Sequence, residues 1–338
     1  MKSITFLTAM TVAIAATGAE AKTRLLVNCF WPSSHFACST VLPNWVEEVE
    51  RVTEGRVTGI IPPKSVAPPP EQLAAIERGI ADVAVMFNGF FGDAAVGPKV
   101  AMQPFVGSHD AEAMSKALWA TNREYFADEI EQVHLLSQFV ISPAELYSQT
   151  DTPINSLDDL AGRKMWVLPG PLAEITKKLG TGVVSGPAVQ SNEIISRGVV
   201  DGHLGLDPQA VQAFQLMPYT KSTTKFSGAI YSTSFSVFAN KDKWAEISPE
   251  DQEAIMSVSG EVLGAAFGRA WNEAAAMAEA AYADAGIEVV DVDPAFETAL
   301  QEASAFVTEG WLKAAEAAGI DGQGALDFYK SQIGEMTN

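Results

Sequence analysis

The chain has 338 residues, 47% of them hydrophobic and 19% charged. That composition excludes wholesale disorder, and the length suits two domains or one domain with two lobes. Lys and Arg number 22 against 42 Asp and Glu, a net charge of −20. Such a surface repels nucleic-acid phosphates and anionic lipid, so neither is expected as a partner.

Residues 1–21 read as a cleavable secretory signal and predict an exported protein. Lys2 supplies the positive start, residues 4–16 are apolar but too short to span a bilayer, and Ala19-Glu20-Ala21 fits a small-x-small cleavage site. No later stretch reaches the roughly 18 uninterrupted apolar residues of a spanning helix, so stable membrane insertion is not expected. Cys29 and Cys38 are the only cysteines. An oxidising compartment permits a disulfide between them, but their spacing does not decide between a bond and two buried thiols.

Along the mature chain, residues 22–29 read as a strand, followed by the aromatic loop Phe30-Trp31-Pro32. Residues 43–53 read as an amphipathic helix with Trp45, Val46 and Val49 on one face, and residues 57–61 as a strand. Pro62-Pro63 and Pro68-Pro69-Pro70 forbid helix until Pro70 can open one over residues 71–78. Residues 81–87 are apolar apart from Asp82, the pattern of a buried parallel strand. Strand and helix alternate again later. Strands are expected at 133–140, 145–148, 164–168, 183–184 and 199–200, with Asp201-Gly202 as a turn, and helices at 154–160, 171–179 and 191–196. Return strands are expected within residues 228–240. This is a second α/β run.

Residues 248–285 read as one long helix or two abutting ones, opened by Ser248-Pro249-Glu250-Asp251. Ile255, Val258 and Val262 mark one apolar face, and Leu263, Phe267 and Trp271 another. About 30 residues of helix would reach roughly 45 Å, enough to cross two lobes. Gly260, Gly264 and Gly268 lie on one stripe and imply close backbone packing or a bend.

Familiar catalytic and metal-binding motifs are missing, which leaves open only an enzyme built from dispersed residues. His35, His109, His134 and His203 are not spaced as metal ligands, and there is no Gly-x-Ser-x-Gly elbow or Gly-rich phosphate loop. No metal or cofactor is expected. An exported two-lobed α/β protein of this kind points to ligand capture between lobes. A secreted enzyme of the same architecture is the competing class.

Ordered fragments carry a family resemblance. They are Trp45-Val46-Glu47-Glu48-Val49-Glu50, Thr53-Glu54-Gly55-Arg56-Val57, Glu71-Gln72-Leu73, Gly79-Ile80-Ala81-Asp82-Val83 and Gln103-Pro104-Phe105. Further along come residues 154–162 (INSLDDLAG), Gly198-Val199-Val200-Asp201-Gly202, and Lys243-Trp244 before Ile247-Ser248. In these the chain resembles the dicarboxylate-type substrate-binding subunits of tripartite ATP-independent periplasmic (TRAP) transporters. The resemblance implies an α/β, two-lobed periplasmic-binding-protein fold with a ligand cleft between the lobes and a long bracing helix. It implies no catalysis, and delivery of a small organic solute to a membrane permease. The expected lobes are residues 22–146 with about 232–262, and 147–231 with about 263–338.

One position departs from the family. Relatives carry a carboxylate-clamping Arg after Lys-hydrophobic, where this chain has Trp166 in Arg163-Lys164-Met165-Trp166-Val167. The usual Glu-Asn after Val-Asp-Gly is replaced by His203-Leu204. A Trp face attracts cations by about 0.5–2 kcal/mol. An amine or quaternary-ammonium solute is therefore expected, with a neutral or carboxylate solute such as a sugar acid or dicarboxylate as the alternative. The expected contacts are Trp166, Trp31, His35, Phe87, Asn88, Glu145, Tyr147 and Asp207.

Overall fold

The structure is a computed structural model that describes residues 22–337. Residues 1–21, where a secretory signal is expected, lie outside the described residues. The strands in chain order are β1 (Thr23–Asn28), β2 (Val57–Ile60), β3 (Val83–Phe87), β4 (Val133–Val140), β5 (Glu145–Ser148), β6 (Lys164–Val167), β7 (Gly182–Ser185), β8 (Gly202–Leu206), β9 (Ser222–Lys225), β10 (Ser234–Asn240) and β11 (Glu288–Asp291).

Two sheets result, each the centre of one lobe. The first has the order β2-β1-β3-β10-β4 and the second β11-β9-β5-β8-β6-β7. In the first, β1 pairs parallel with β2 and β3, while β10 runs antiparallel between β3 and β4. In the second, β6 is parallel to β7 and β8, and β5 is antiparallel to β8 and β9. Every residue of β3 is buried, because both faces of the sheet are covered, which explains its unbroken apolar sequence.

The strand expected at residues 199–200 is instead β8, two residues later, and Val199 is 46% exposed. Its sequence Gly-His-Leu-Gly-Leu hides it, since glycine disfavours strands. The glycine is required: a Cβ on Gly202 would stand 2.3 Å from the Tyr147 carbonyl oxygen.

The chain crosses between lobes after β4 and again before β10. The two crossings are hydrogen-bonded to each other, Ile141 N–H to Thr233 O at 3.0 Å and Ala144 N–H to Tyr231 O at 2.8 Å. They form a two-stranded hinge. The helical stretch that begins at Ser248 is broken, as Pro249–Ser257, Gly260–Ala280 and Tyr282–Ala285. The break falls at Gly260, whose φ of 50° belongs to the left-handed region. It resets the helical phase, and Val262 is 56% exposed rather than continuing the Ile255 face. Gly260–Ala280 spans about 30 Å. It packs on the helix Ala111–Tyr125 and β4 of the first lobe and on the helix Pro208–Ala213 of the second.

The C-terminal helix Gly322–Thr337 packs on Ala111–Tyr125, in the first lobe. The expected second lobe ran to residue 338, so this helix is reassigned. Its link is the preceding helix Pro294–Ala317, which touches both the second-lobe helix Pro171–Lys178 and the first-lobe turn Gly97–Met102. Cys29 and Cys38 form a disulfide. Among the described residues no helix is long and apolar enough to cross a membrane.

The glycine stripe marks close backbone approach. A Cβ on Gly264 would lie 2.4 Å from Gln138 O, and one on Gly268 would lie 2.5 Å from Ala111 O. Gly264→Ala and Gly268→Ala should each destabilise the protein by about 1–3 kcal/mol despite the better helix propensity of Ala. Urea unfolding measures this; an unchanged or raised midpoint would refute the close-packing account.

Candidate functional site

The carboxyl ends of β3, β6 and β8 converge on one cavity, the place where open α/β sheets present ligand groups. It measures about 690 Å³ including space open to solvent. The first lobe contributes Phe30, Trp31, Phe87, Phe90 and Phe235, and the second Leu168, Pro169, Asp207, Gln209 and Phe214. The hinge adds Ile141 and Thr233, and the long helix adds Trp271. Seven of its 20 wall residues are aromatic and none is Lys, Arg or His, so the walls suit a flat apolar body.

Local sequence builds this wall. The disulfide closes the loop after β1, and within it Trp31 stacks on Phe30 at 3.9 Å and on His35 at 5.3 Å. Trp271 comes within 5.6 Å of both the Trp31 and His35 rings. Gly205, with φ 106°, lets β8 approach the turn after β6: a Cβ there would stand 2.6 Å from Leu168 Cβ.

Polar groups are few. His35 Nδ1 accepts the Ala37 N–H at 3.2 Å, so the ring proton sits on Nε2, which donates to Gln209 Oε1 at 3.4 Å. This bond joins the two lobes beside the cavity. Burial pushes the His35 pKa down to about 4, only partly opposed by the Gln209 bond, so the ring is neutral at physiological pH. Gln209 keeps its Nε2 hydrogens for another partner. Asp207 caps the helix Pro208–Ala213 by accepting the Ala210 N–H on Oδ1 at 3.1 Å. Its Oδ2 is buried without a hydrogen-bond partner. Burial pushes the Asp207 carboxyl up to about 7; the Ala210 N–H and Asp207's own backbone N–H oppose that, and repulsion from Glu145 adds to it.

Of the residues expected to contact the solute, Trp31, Phe87 and Asp207 stand on the cavity wall, and His35 stacks on Trp31. The other four lie elsewhere. Trp166 is wholly buried inside β6, flanked by Val184 of β7 and His203 of β8. It sits one residue before the strand's last residue, Val167, and Leu168 takes the place on the wall expected for it. Tyr147 stacks on His203 at 4.5 Å within the same lobe core. Asn88 is consumed by Ser234 and Ser236 of β10, at 2.9 and 2.7 Å. Glu145 accepts the Thr223 hydroxyl at 2.5 Å and lines a second, polar cavity with Lys225 and Glu279, which pair at 2.7 Å.

The residues not foreseen on the wall include Phe30, Phe90, Leu168, Gln209, Phe214, Thr233, Phe235 and Trp271. Phe30 and Phe90 carried a signal, being aromatic and next to a strand's carboxyl end. Trp271 was legible only as one apolar residue of a helix.

Two substitutions separate core from wall. Phe30 is only partly buried. Phe30→Ala should weaken solute binding about tenfold, because one ring face is lost. Trp166→Phe should cost about 1–2 kcal/mol of stability and leave affinity within about twofold. Thermal unfolding and calorimetric titration read both; an affinity loss in Trp166→Phe as large as in Phe30→Ala would return Trp166 to the site.

Residues 27–314 match the family model for bacterial extracellular solute-binding protein, family 7 (DctP). A TRAP periplasmic solute-binding protein from Bordetella bronchiseptica, solved with bound (R)-mandelate and (S)-mandelate, is 31% identical with a TM-score of 0.86, covering 93% of this chain and 99% of that one. A marine metagenome TRAP solute-binding protein, in complex with metahydroxyphenylacetate, has the same fold at 23% identity and TM-score 0.84, over 93% and 99% of the two chains. The outer membrane transporter protein TsaT of Comamonas testosteroni is 33% identical over 319 residues, 94% of this chain and 93% of that protein. The match over most of the sequence, with two lobes closing on a cavity, makes this chain a member of the DctP family, the periplasmic solute-binding proteins of TRAP transporters.

Proposed function

We propose that the protein is exported, captures a compact solute built on an aromatic ring, and delivers it to a TRAP permease. The aromatic lining of the cavity between the lobes carries this reading. A buried phenyl ring removes about 100 Å² of apolar surface from water, worth roughly 2.5 kcal/mol at 25 cal/mol per Å². Stacked or edge-on contacts to Trp31, Phe87 or Phe235 add about 0.5–1.5 kcal/mol each. The export signal in residues 1–21 and the periplasmic family support the location.

The ground for an amine or quaternary-ammonium solute has shifted. Trp166, which motivated it, stands outside the cavity. Asp207, the one ionisable wall residue, gives an aromatic amine its remaining support. Against that, the relative from Bordetella bronchiseptica holds mandelate, an aromatic hydroxy acid, and this favours an acid. Aliphatic dicarboxylates and sugar acids match this wall poorly, since they would trade hydration for apolar surface.

A thermal-shift panel tests the class. Benzoate, mandelate and 2-phenylethylamine should include the stabilising solutes, while succinate and choline should not stabilise. A ligand at 1,000 times its dissociation constant adds about 4 kcal/mol. Stabilisation by succinate alone would refute the aromatic reading.

A further inference from the structure

We propose that the solute is an aromatic carboxylate that enters the cavity together with a proton and is held as a hydrogen-bonded pair with the carboxylic acid of Asp207. This rests on the aromatic-solute reading above and adds the charge and the proton. The wall offers no Lys, Arg or charged His to a carboxylate. An anion placed there would give up its hydration with no opposite charge in return. What the wall does offer is Asp207, whose Oδ2 is buried without a hydrogen-bond partner, with the Trp271 indole N–H beside it.

An indole nitrogen only donates, and an ionised carboxylate only accepts. Ionised Asp207 therefore faces a carboxylate solute acceptor to acceptor. Protonated Asp207 presents an O–H. Oδ1 already accepts the Ala210 N–H, so the proton belongs on Oδ2. Asp207 Oδ2 then supplies a donor for one oxygen of a carboxylate, and Thr233 and the Gln209 amide stand on the same wall.

The surroundings hold Asp207 ready to take the proton. Its carboxyl is pushed up to about 7, by burial first and by Glu145 among the charges, while the Ala210 and Asp207 backbone N–H groups and the Trp271 indole N–H beside it oppose the rise. The titratable groups around it are Glu145 and Tyr147 of β5, Tyr282 after the long helix, and His35 from the first lobe. Both tyrosines have pKa values raised by burial, and His35, lowered to about 4, stays neutral. Glu145 is also raised by burial, and a carboxyl group supplies no cation in either protonation state. Lys225 is occupied by Glu279.

The balance is one proton from solvent for each carboxylate bound above the Asp207 pKa, and none below it. Affinity for an aryl carboxylate should then fall about thirtyfold between about pH 6 and about pH 8.5. An aromatic amine would show the opposite slope.

Calorimetric titration of the mature protein with mandelate, benzoate and 2-phenylethylamine tests this, in two buffers of different ionisation enthalpy at each pH. The expected result is carboxylate binding that weakens with pH, with a buffer-dependent heat near one proton per solute at the higher pH. Asp207→Asn keeps an oxygen for the helix cap and places an amide donor at the Oδ2 position. It should bind mandelate or benzoate with equal affinity at both pH values and no proton uptake. Aryl carboxylate binding that ignores pH and buffer would overturn the proton-linked pair and leave the aromatic reading standing. Amine binding that strengthens with pH and is lost in Asp207→Asn would also overturn it. No binding of any of the three would overturn both readings.

Discussion

The packing around the Trp271 indole is the constraint on which hinge, lobes and cavity all depend. Its ring meets Phe36 at 4.6 Å and Phe139 at 5.5 Å, besides Trp31 and His35. Its backbone oxygen accepts the hydroxyl of Ser142, in the hinge, at 3.3 Å. The helix that delivers the ring lies directly on β4, an approach Gly264 permits, while Gly268 permits the approach to the helix Ala111–Tyr125. The cavity wall is thus the visible edge of an aromatic core that runs from the first sheet to the long helix. Small losses of packing along the helix would be felt as misplacement of the wall.

The fold was largely legible because its signals are local. An apolar run, a capping Ser or Asp and a Gly after a helix each report on neighbours in sequence. Elements failed where a tertiary contact overrode propensity, as in β8, whose glycines serve the Tyr147 carbonyl and Leu168. The site was legible to the nearest strand and no further. β6 was rightly placed at the cleft, yet the wall residue is Leu168 rather than Trp166, because depth along a strand is set by where the sheet ends. Asn88 shows the same limit, since its partners Ser234 and Ser236 lie more than 140 residues away. Trp271 and Phe235 reach the cavity from elements whose sequences speak only of burial.

Charge on this protein is divided between scales. The surface carries most of a net −20, while the cavity is nearly neutral. At physiological ionic strength exposed charges are screened within about 8 Å, so the surface contributes little to holding a solute inside. Selection among solutes is left to shape, to aromatic contact and to a handful of donors and acceptors. A site of this kind discriminates by which polar atoms it would leave unsatisfied.

The Cys29–Cys38 bond has a consequence for how the protein can be made. The loop it closes carries Trp31 and His35, so one jaw of the trap is held by a covalent link that the facing jaw lacks. The ordering of that loop is charged to folding rather than to each capture event. The same molecule assembled in a reducing cytosol would have the same sheets and helices but a slack jaw. Its grip on solute would then record the redox history of the preparation, independently of any change in sequence.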